Sequence, residues 1–354
     1  MKCLLGLLLS LCGVLPSFAD DAFARITPSQ AGYSAEKLDD LKTFLASKGS
    51  HSMLLLHDGK VFFEWGDIHQ KLLIHSMRKA MLNSLYGIYV QQDKIRLDAS
   101  LATLNIDDSV AELSAAEKQA TVLHILKSRS GIYHDAAAES DAMTRHRPAR
   151  GSHKPDEVFY YNNWDFNVAG HIFEQSSGLR IYDAFNALIA KPLGMQDYKN
   201  NIARVTVNSD ATVMPAPALD GFYQYEPSRS NFPAYHFRLS AHDLALYGQL
   251  YLQGGQWRGQ QLIPADWIKL STKPYSITDA DYGLAYGLLW DVLLPENEQE
   301  QASFFHTGVD VHMLGVYPKH KLVMVHRVNT EKEYRFNDGD LYRVIKMMHG
   351  ARIK

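Results

Sequence analysis

Strand-like segments near both ends of the chain and a long helical stretch between them predict an α+β fold. The expected architecture is one antiparallel sheet built from both termini, packed with helices as an α/β sandwich, and holding an inserted all-α region. At the N-terminal end, Met53–His57 and Val61–Trp65 flank Asp58-Gly59, a residue pair that accepts the positive φ angles of a two-residue hairpin turn. At the C-terminal end, Val311–Tyr317 and Leu322–Val328 flank residues 318–321 in the same way. From about Leu97 to Arg204 the pattern is helical with long loops. The α/β part is therefore placed at about 20–90 and 210–354, and the helical part at about 91–209.

The first 19 residues read as a secretory signal peptide. Lys2 supplies the positive start, Leu4 to Phe18 is mostly apolar, and Ser17-Phe18-Ala19 offers small residues for cleavage. The apolar run is too short for a membrane span, so no integral span is expected once the leader is removed. Leu11 is bulky where a lipoprotein signal before Cys12 calls for a small residue, so a lipid anchor is not expected. Both cysteines, Cys3 and Cys12, lie in this leader. The mature chain would then carry no disulfide, thiolate nucleophile or cysteine metal site, which suits a periplasmic or secreted protein.

Within the remainder, Ser34 reads as a helix N-cap, with Leu38, Leu41, Phe44 and Leu45 at helical spacing and Gly49 as the stop. Ser76 to Val90 is apolar nearly all round, as a buried central helix would be. The segment Tyr133–Glu157 is a long loop carrying Arg145, His146, Arg147, Arg150, His153 and Lys154, read either as a functional lid or as a solvated loop. Ser240–Gln253 and Pro264–Thr272 read as helices, and Asp338–Met348 closes the chain as an amphipathic helix. The net charge of −3 gives no basic excess for nucleic acid and no polybasic membrane patch. The 16 histidines show no metal-ligand spacing, so neither metal nor cofactor is expected.

Three short clusters carry chemistry. A serine and a lysine three apart on a helix share one face, so the amine can lie against the hydroxyl and activate it as a nucleophile. Two such pairs occur, Ser34/Lys37 and Ser76/Lys79; the first is accounted for as a helix cap followed by a solvated lysine. In Phe159-Tyr160-Tyr161-Asn162-Asn163, a tyrosine and an asparagine two apart point to the same side of an extended loop. Near a lysine the tyrosine would lose its proton more readily and act as a base, and the amide would donate to and accept from a substrate. Both Tyr160/Asn162 and Tyr161/Asn163 fit. In His306-Thr307-Gly308, ahead of Val309, the glycine permits close backbone approach to a ligand, and a neighbouring N–H could form half of an oxyanion hole.

Taken in order, these clusters resemble the class C β-lactamase and penicillin-binding-protein superfamily of serine hydrolases. Its members carry Ser-x-x-Lys at the start of a buried helix, Tyr-x-Asn on a loop before a helix, and Lys-Thr-Gly or His-x-Gly on a strand. Leu126 through Ser130-Gly131-Ile132 and the terminal hairpin Leu314–Val328 resemble it further, so the likeness covers essentially all of the mature chain. In that family a glycine follows nine residues after the tyrosine, with an acid and a second glycine beyond. Counting from Tyr161 gives Gly170, Glu174 and Gly178, and counting from Tyr160 gives none of these.

The resemblance implies a β-lactamase/transpeptidase-like fold and acyl transfer through a serine ester. Ser76 would be the nucleophile, with Lys79 and Tyr161 handling its proton. The N–H groups of Ser76 and Val309 would hold the oxyanion, and Asn163, His306, Thr307 and Gly308 would bind substrate. Tyr133 either lines that pocket or packs in the core. Arg78 is expected to be solvated or salt-bridged, without a catalytic role. Histidine at 306 is a weaker, pH-dependent cation than the family's lysine, which binds substrate carboxylates. This favours an esterase or small-amide hydrolase similar to the nylon-oligomer hydrolases. The alternatives are a D-Ala-type peptidoglycan carboxypeptidase or β-lactamase and, from another class, a catalytically weak protein that binds peptidoglycan-like ligands.

Overall fold

Asp58 and Gly59 both adopt left-handed backbone, with φ of 50° and 74°, and so close the first hairpin between Ser52–His57 and Lys60–Gly66. The computed structural model describes residues 23–207, 215–295, 297 and 300–353. The leader read at 1–19 and the domain boundary read at 209/210 lie outside the described residues. Ser52–His57 pairs on its other side with Leu322–Arg327, from Ser52↔Arg327 to His57↔Leu322, which joins the two ends of the chain in one sheet. That sheet has eight antiparallel strands. From one edge they are Lys60–Gly66, Ser52–His57, Leu322–Arg327, His312–Tyr317, Ser303–Gly308, Asp291–Leu293, Leu284–Tyr286 and Ser276–Asp279.

Alternation along these strands sorts side chains to two faces. Met53, Leu55, Met313 and Met324 face the helices Ala35–Lys48 and Asp338–Gly350, meeting Leu38, Leu41, Leu45, Leu341 and Val344. Leu54, Leu56, Leu314, Val316, Val323 and Val325 face the larger core, with the helix Ala241–Leu252 and the central helix Arg78–Gln91. At about 1.5–3 kcal/mol for each large apolar side chain buried, the two layers hold the sheet from both sides. Ser34 caps the first helix by accepting from the Lys37 N–H, and Gly49 ends it with φ 73°, as the sequence predicted.

The middle of the chain departs from the all-α expectation. It holds the helix Asn163–Ser177 and several shorter ones, but Ile202–Thr206 is a strand. It runs parallel to Gly221–Tyr225 in a four-stranded sheet with Ala234–Leu239 and Leu72–Leu73. This smaller sheet is tied to the large one by Arg327. Its buried guanidinium donates to the carbonyls of Leu239 (2.6 Å), Leu72 (2.9 Å) and Leu73 (3.1 Å). The segment leading into Ser76 is thereby fixed to both sheets. Among the described residues no helix is long and apolar enough to cross a membrane.

Candidate active site

Ser76 sits in a single 3₁₀ turn, His75–Met77, that runs directly into the central helix. Residues 78 to 89 of that helix are all buried. The turn is reached through His75 in left-handed backbone (φ 48°), with its Nε2 2.8 Å from Thr330 Oγ1. Against it lies the end of the strand Ser303–Gly308. A Cβ on Gly308 would stand 2.5 Å from the Ile74 carbonyl oxygen, so only glycine lets the strand close on the serine turn. Gly308 does not line the site; it sets the spacing.

Ser76 opens onto a cavity of about 560 Å³. Tyr161 and Asn163 line it from the start of the Asn163–Ser177 helix, and Thr307, Val309 and Asp310 line it from the sheet. Val309 and Asp310, with φ of 43° and 57°, form the turn after Gly308, closed by the Val311 N–H on the Gly308 carbonyl at 3.1 Å. A positive φ is rare for a β-branched residue, and Val309 lines the same cavity as Ser76. Ala138, Ser140 and Met143 complete the wall. They belong to the basic loop, whose arginines turn out to be its anchors. Arg147 bridges Asp135 and Glu139, and Arg150 Nη2 meets Glu117 at 2.9 Å.

Tyr161 is held by its neighbours. The Ser128 hydroxyl donates to the Tyr160 carbonyl (2.6 Å) and accepts from the Asn162 N–H (3.0 Å), clamping the chain on both sides of it. Asn162 adds a bond from Nδ2 to the Ile132 carbonyl (2.6 Å), within the Ser130-Gly131-Ile132 turn. Tyr160 faces away, its hydroxyl on the Met143 carbonyl at 2.7 Å, so Tyr161 is the tyrosine at the cavity.

Tyr161 and Ser76 line the same cavity, and Ser76 is near enough to oppose part of the rise in the Tyr161 pKa. Beneath it, Lys79 is buried with Nζ 4.6 Å from the Tyr161 ring centre and 4.4 Å from that of Phe166. Burial, and secondarily the charge of Arg78, hold the Lys79 amine well below its ordinary pKa, against the opposing pull of Asp291. Tyr161 moves the other way. Burial first and then Asp291 push it up, outweighing Ser76 and Arg78. The expectation that Tyr161 would lose its proton readily is therefore corrected: burial holds it as a phenol, while the Lys79 amine is the group eased towards its neutral form. Asp291, raised to about 7 chiefly by burial, also lines the cavity.

Three further expectations are corrected. His306 is 1 % exposed and lies behind the cavity wall. Its Nδ1–H donates to the Thr307 carbonyl (3.0 Å), its Nε2 has no partner, and burial lowers its pKa to about 3, so it is a neutral imidazole rather than a pH-dependent cation. Tyr133 packs edge-on against Tyr160 with its hydroxyl 3.1 Å from His153 Nδ1, and does not reach the cavity. Arg78 is neither solvated nor salt-bridged. It is 3 % exposed, stacks on Tyr235 at 4.4 Å, and lines the cavity. The sequence reading passed over Asp291 and His236, another lining residue. Asp291 is a lone polar group in the apolar run Leu288–Leu294, a signal that would have marked it, whereas His236 shares Ala234–Leu239 with Arg238 and carries no such mark.

Away from the cavity lining, His69, Asp197 and His242 bring one ligand atom each within 4.8 Å of one another. His69 Nδ1 is 3.1 Å from Asp197 Oδ2, and the buried His242 Nε2 has no partner. No local spacing announces this cluster, because its members come from three separate segments.

A family model described as Beta-lactamase matches residues 46–346. The chain belongs to the beta-lactamase family. No curated protein matches it. Among solved structures it is similar to a candidate 6-aminohexanoate-dimer hydrolase from Bacillus anthracis, at 16% identity and TM-score 0.64, over 92% of this chain and 86% of that one. It is similar to EstCE1, a hydrolase with promiscuous acyltransferase activity, at 15% identity and TM-score 0.63, over 91% and 99%. The octameric penicillin-binding protein homologue from Pyrococcus abyssi follows the same path at 17% identity and TM-score 0.63, over 90% and 78%. At these identities the likeness is one of fold. It agrees with the beta-lactamase/transpeptidase-like α+β architecture read from the sequence, and family membership makes the protein a hydrolase.

Proposed function

We propose that this beta-lactamase-family protein opens an ester or amide bond through a covalent acyl-enzyme on Ser76. The observation that carries the reading is that Ser76 and Tyr161 line one cavity, with the buried amine of Lys79, eased towards its neutral form, against the Tyr161 ring. Ser76 Oγ attacks the carbonyl carbon. Its proton passes to Tyr161 as Tyr161 gives its own to Lys79, so the phenol is never left ionised. The N–H groups of Ser76 and Val309 receive the oxyanion, a donor of that kind being worth about 2.7–4 kcal/mol. Collapse expels the alcohol or amine, which takes the proton back through Tyr161, and water then releases the acyl group by the same route reversed.

A panel of p-nitrophenyl esters, linear amides, nitrocefin and D-Ala-D-Ala peptides, run with Ser76→Ala, tests the proposal. Turnover of an ester or amide and fluorophosphonate labelling are expected, both lost in Ser76→Ala. Undiminished turnover in that variant would sink the scheme. A β-lactamase or D-Ala carboxypeptidase has less support, because His306 supplies no charge at the position where the family's lysine stands.

A further inference from the structure

An arginine carries its positive charge at any pH at which proteins work, and a buried charge is retained at large cost unless something pairs with it. Arg78 is buried at 3 % exposure, yet no carboxylate among the described residues pairs with it. Its Nη2 donates to a neutral amide oxygen, Asn167 Oδ1, at 3.1 Å. Its flat face lies on the Tyr235 ring, 4.4 Å from the centre. Nη1 has no hydrogen-bond partner, and the nearby Tyr235 hydroxyl also lacks one, since the two do not meet with hydrogen-bond geometry. The guanidinium is therefore oriented by stacking and by one amide, with an N–H edge left over at a cavity wall.

His236 stands with it. It lines the same cavity at 9 % exposure and stacks on Phe222 at 4.6 Å and 22°, and neither ring nitrogen has a partner. Burial and the charge of Arg78 hold the ring neutral, which leaves one N–H donor and one acceptor. The acids of the cavity, Asp291 and Asp310, come from the large sheet and its turn, whereas Arg78 and His236 belong to the central helix and the smaller sheet. The donors and the carboxylates thus reach the cavity from different elements.

Resting on the acyl-serine reading above, we propose that Arg78 and His236 form a carboxylate-binding subsite, so that the substrate is an ester or amide bearing a carboxylate. A carboxylate fits because it supplies the missing counter-charge and can accept from both the guanidinium edge and the imidazole N–H.

Two matched pairs of esters test this. Mono-p-nitrophenyl glutarate and its methyl ester differ only in charge on the acyl side, and 4-butyryloxybenzoate and its methyl ester differ only in charge on the leaving group. The protein is expected to favour the charged member of one pair by tenfold or more in kcat/KM, and the pair that responds locates the subsite relative to the scissile bond. In Arg78→Gln the charged-to-neutral ratio falls towards one, while Arg78→Lys retains part of it. Equal rates within both pairs, or a ratio unchanged in Arg78→Gln, overturn the subsite even with Ser76-dependent turnover intact.

A binding measurement keeps the test independent of the chemistry. In the Ser76→Ala protein, monomethyl glutarate is expected to raise Tm and dimethyl glutarate is not, and a further Arg78→Gln change removes the shift. Equal shifts from both compounds, or none from either, overturn the subsite whether or not the serine mechanism holds.

Discussion

At the scale of single residues, the site works by pushing neighbouring groups in opposite directions. Burial lowers Lys79 and raises Tyr161, so the amine is eased towards its neutral form beside an intact phenol. The rate as a function of pH follows from this. Below its depressed pKa Lys79 is protonated and cannot accept the Ser76 proton, so kcat/KM rises with pH along an acid limb. Asp291 raises the Lys79 pKa. In Asp291→Asn that pull is gone, and the acid limb shifts to lower pH; a limb that stays put or moves up would remove Asp291 from the proton network. Because these groups exchange protons, the limb reports the set as a whole. Lys79→Met and Tyr161→Phe should each cost about 10²–10⁴ in kcat/KM, the usual worth of general acid–base help, in steady-state assays with the preferred ester.

At the scale of elements, the geometry depends on two local devices. One is the Ser128 clamp on the chain either side of Tyr161. Ser128→Ala removes both bonds without touching the cavity, so kcat should fall roughly tenfold with KM little changed, alongside a stability loss of about 1–3 kcal/mol in urea melts. A matched fall in kcat and rise in KM would mean that Ser128 shapes binding instead. The other is Gly308. A methyl there meets backbone at 2.5 Å, so Gly308→Ala must move the strand away from the Ser76 turn, with loss of turnover and about 1–3 kcal/mol of stability. The sequence disclosed these elements unevenly. The two hairpins and the three capped helices were legible because each carries a period and a punctuating residue, as in Asp58-Gly59 or Ser34 and Gly49. The strands Ser276–Asp279, Leu284–Tyr286 and Asp291–Leu293 were not, because three or four residues are too few to show alternation. The order of Ser76, Lys79, Tyr161 and Asn163 could be read along the chain. That His306 and Tyr133 turn inward and Arg78 faces the cavity could not, since each depends on contacts made across the fold.

For the whole molecule, the buried titratable groups set the response to acid. His306 and His326 are held neutral, lowered to about 3 and about 4 with burial as the main cause, and burial also lowers His236 and His312. His326 shows how the neutral form is held: Nδ1–H donates to the Val311 carbonyl at 2.8 Å and Nε2 accepts from Ser50 Oγ at 2.8 Å, so protonation would require the Ser50 hydroxyl to turn from donor to acceptor while a charge is buried. In the unfolded chain these rings take up protons near pH 6.5. Their contribution to stability is therefore complete above about pH 6.5 and is lost as pH falls from there towards the folded values. Asp165 and Asp291 act with the opposite sign. Both are raised by burial, so the folded state holds their protons, and their contribution is lost as pH rises through the folded values, about 7 for Asp291. These four are the most deeply buried of ten lowered histidines among the described residues, and against two raised acids they alone give a net uptake of about two protons on unfolding, or roughly 3 kcal/mol per pH unit between pH 6.5 and 4. Set against a total of about 5–15 kcal/mol for a folded domain, that slope exhausts stability within a few pH units. Urea melts should show a midpoint that declines continuously from pH 6.5 to pH 5, and His326→Gln, which keeps a donor and an acceptor without a proton to gain, should shallow the decline. A midpoint flat between pH 7 and pH 5 would mean that the buried rings are protonated in the folded state as readily as in the unfolded chain.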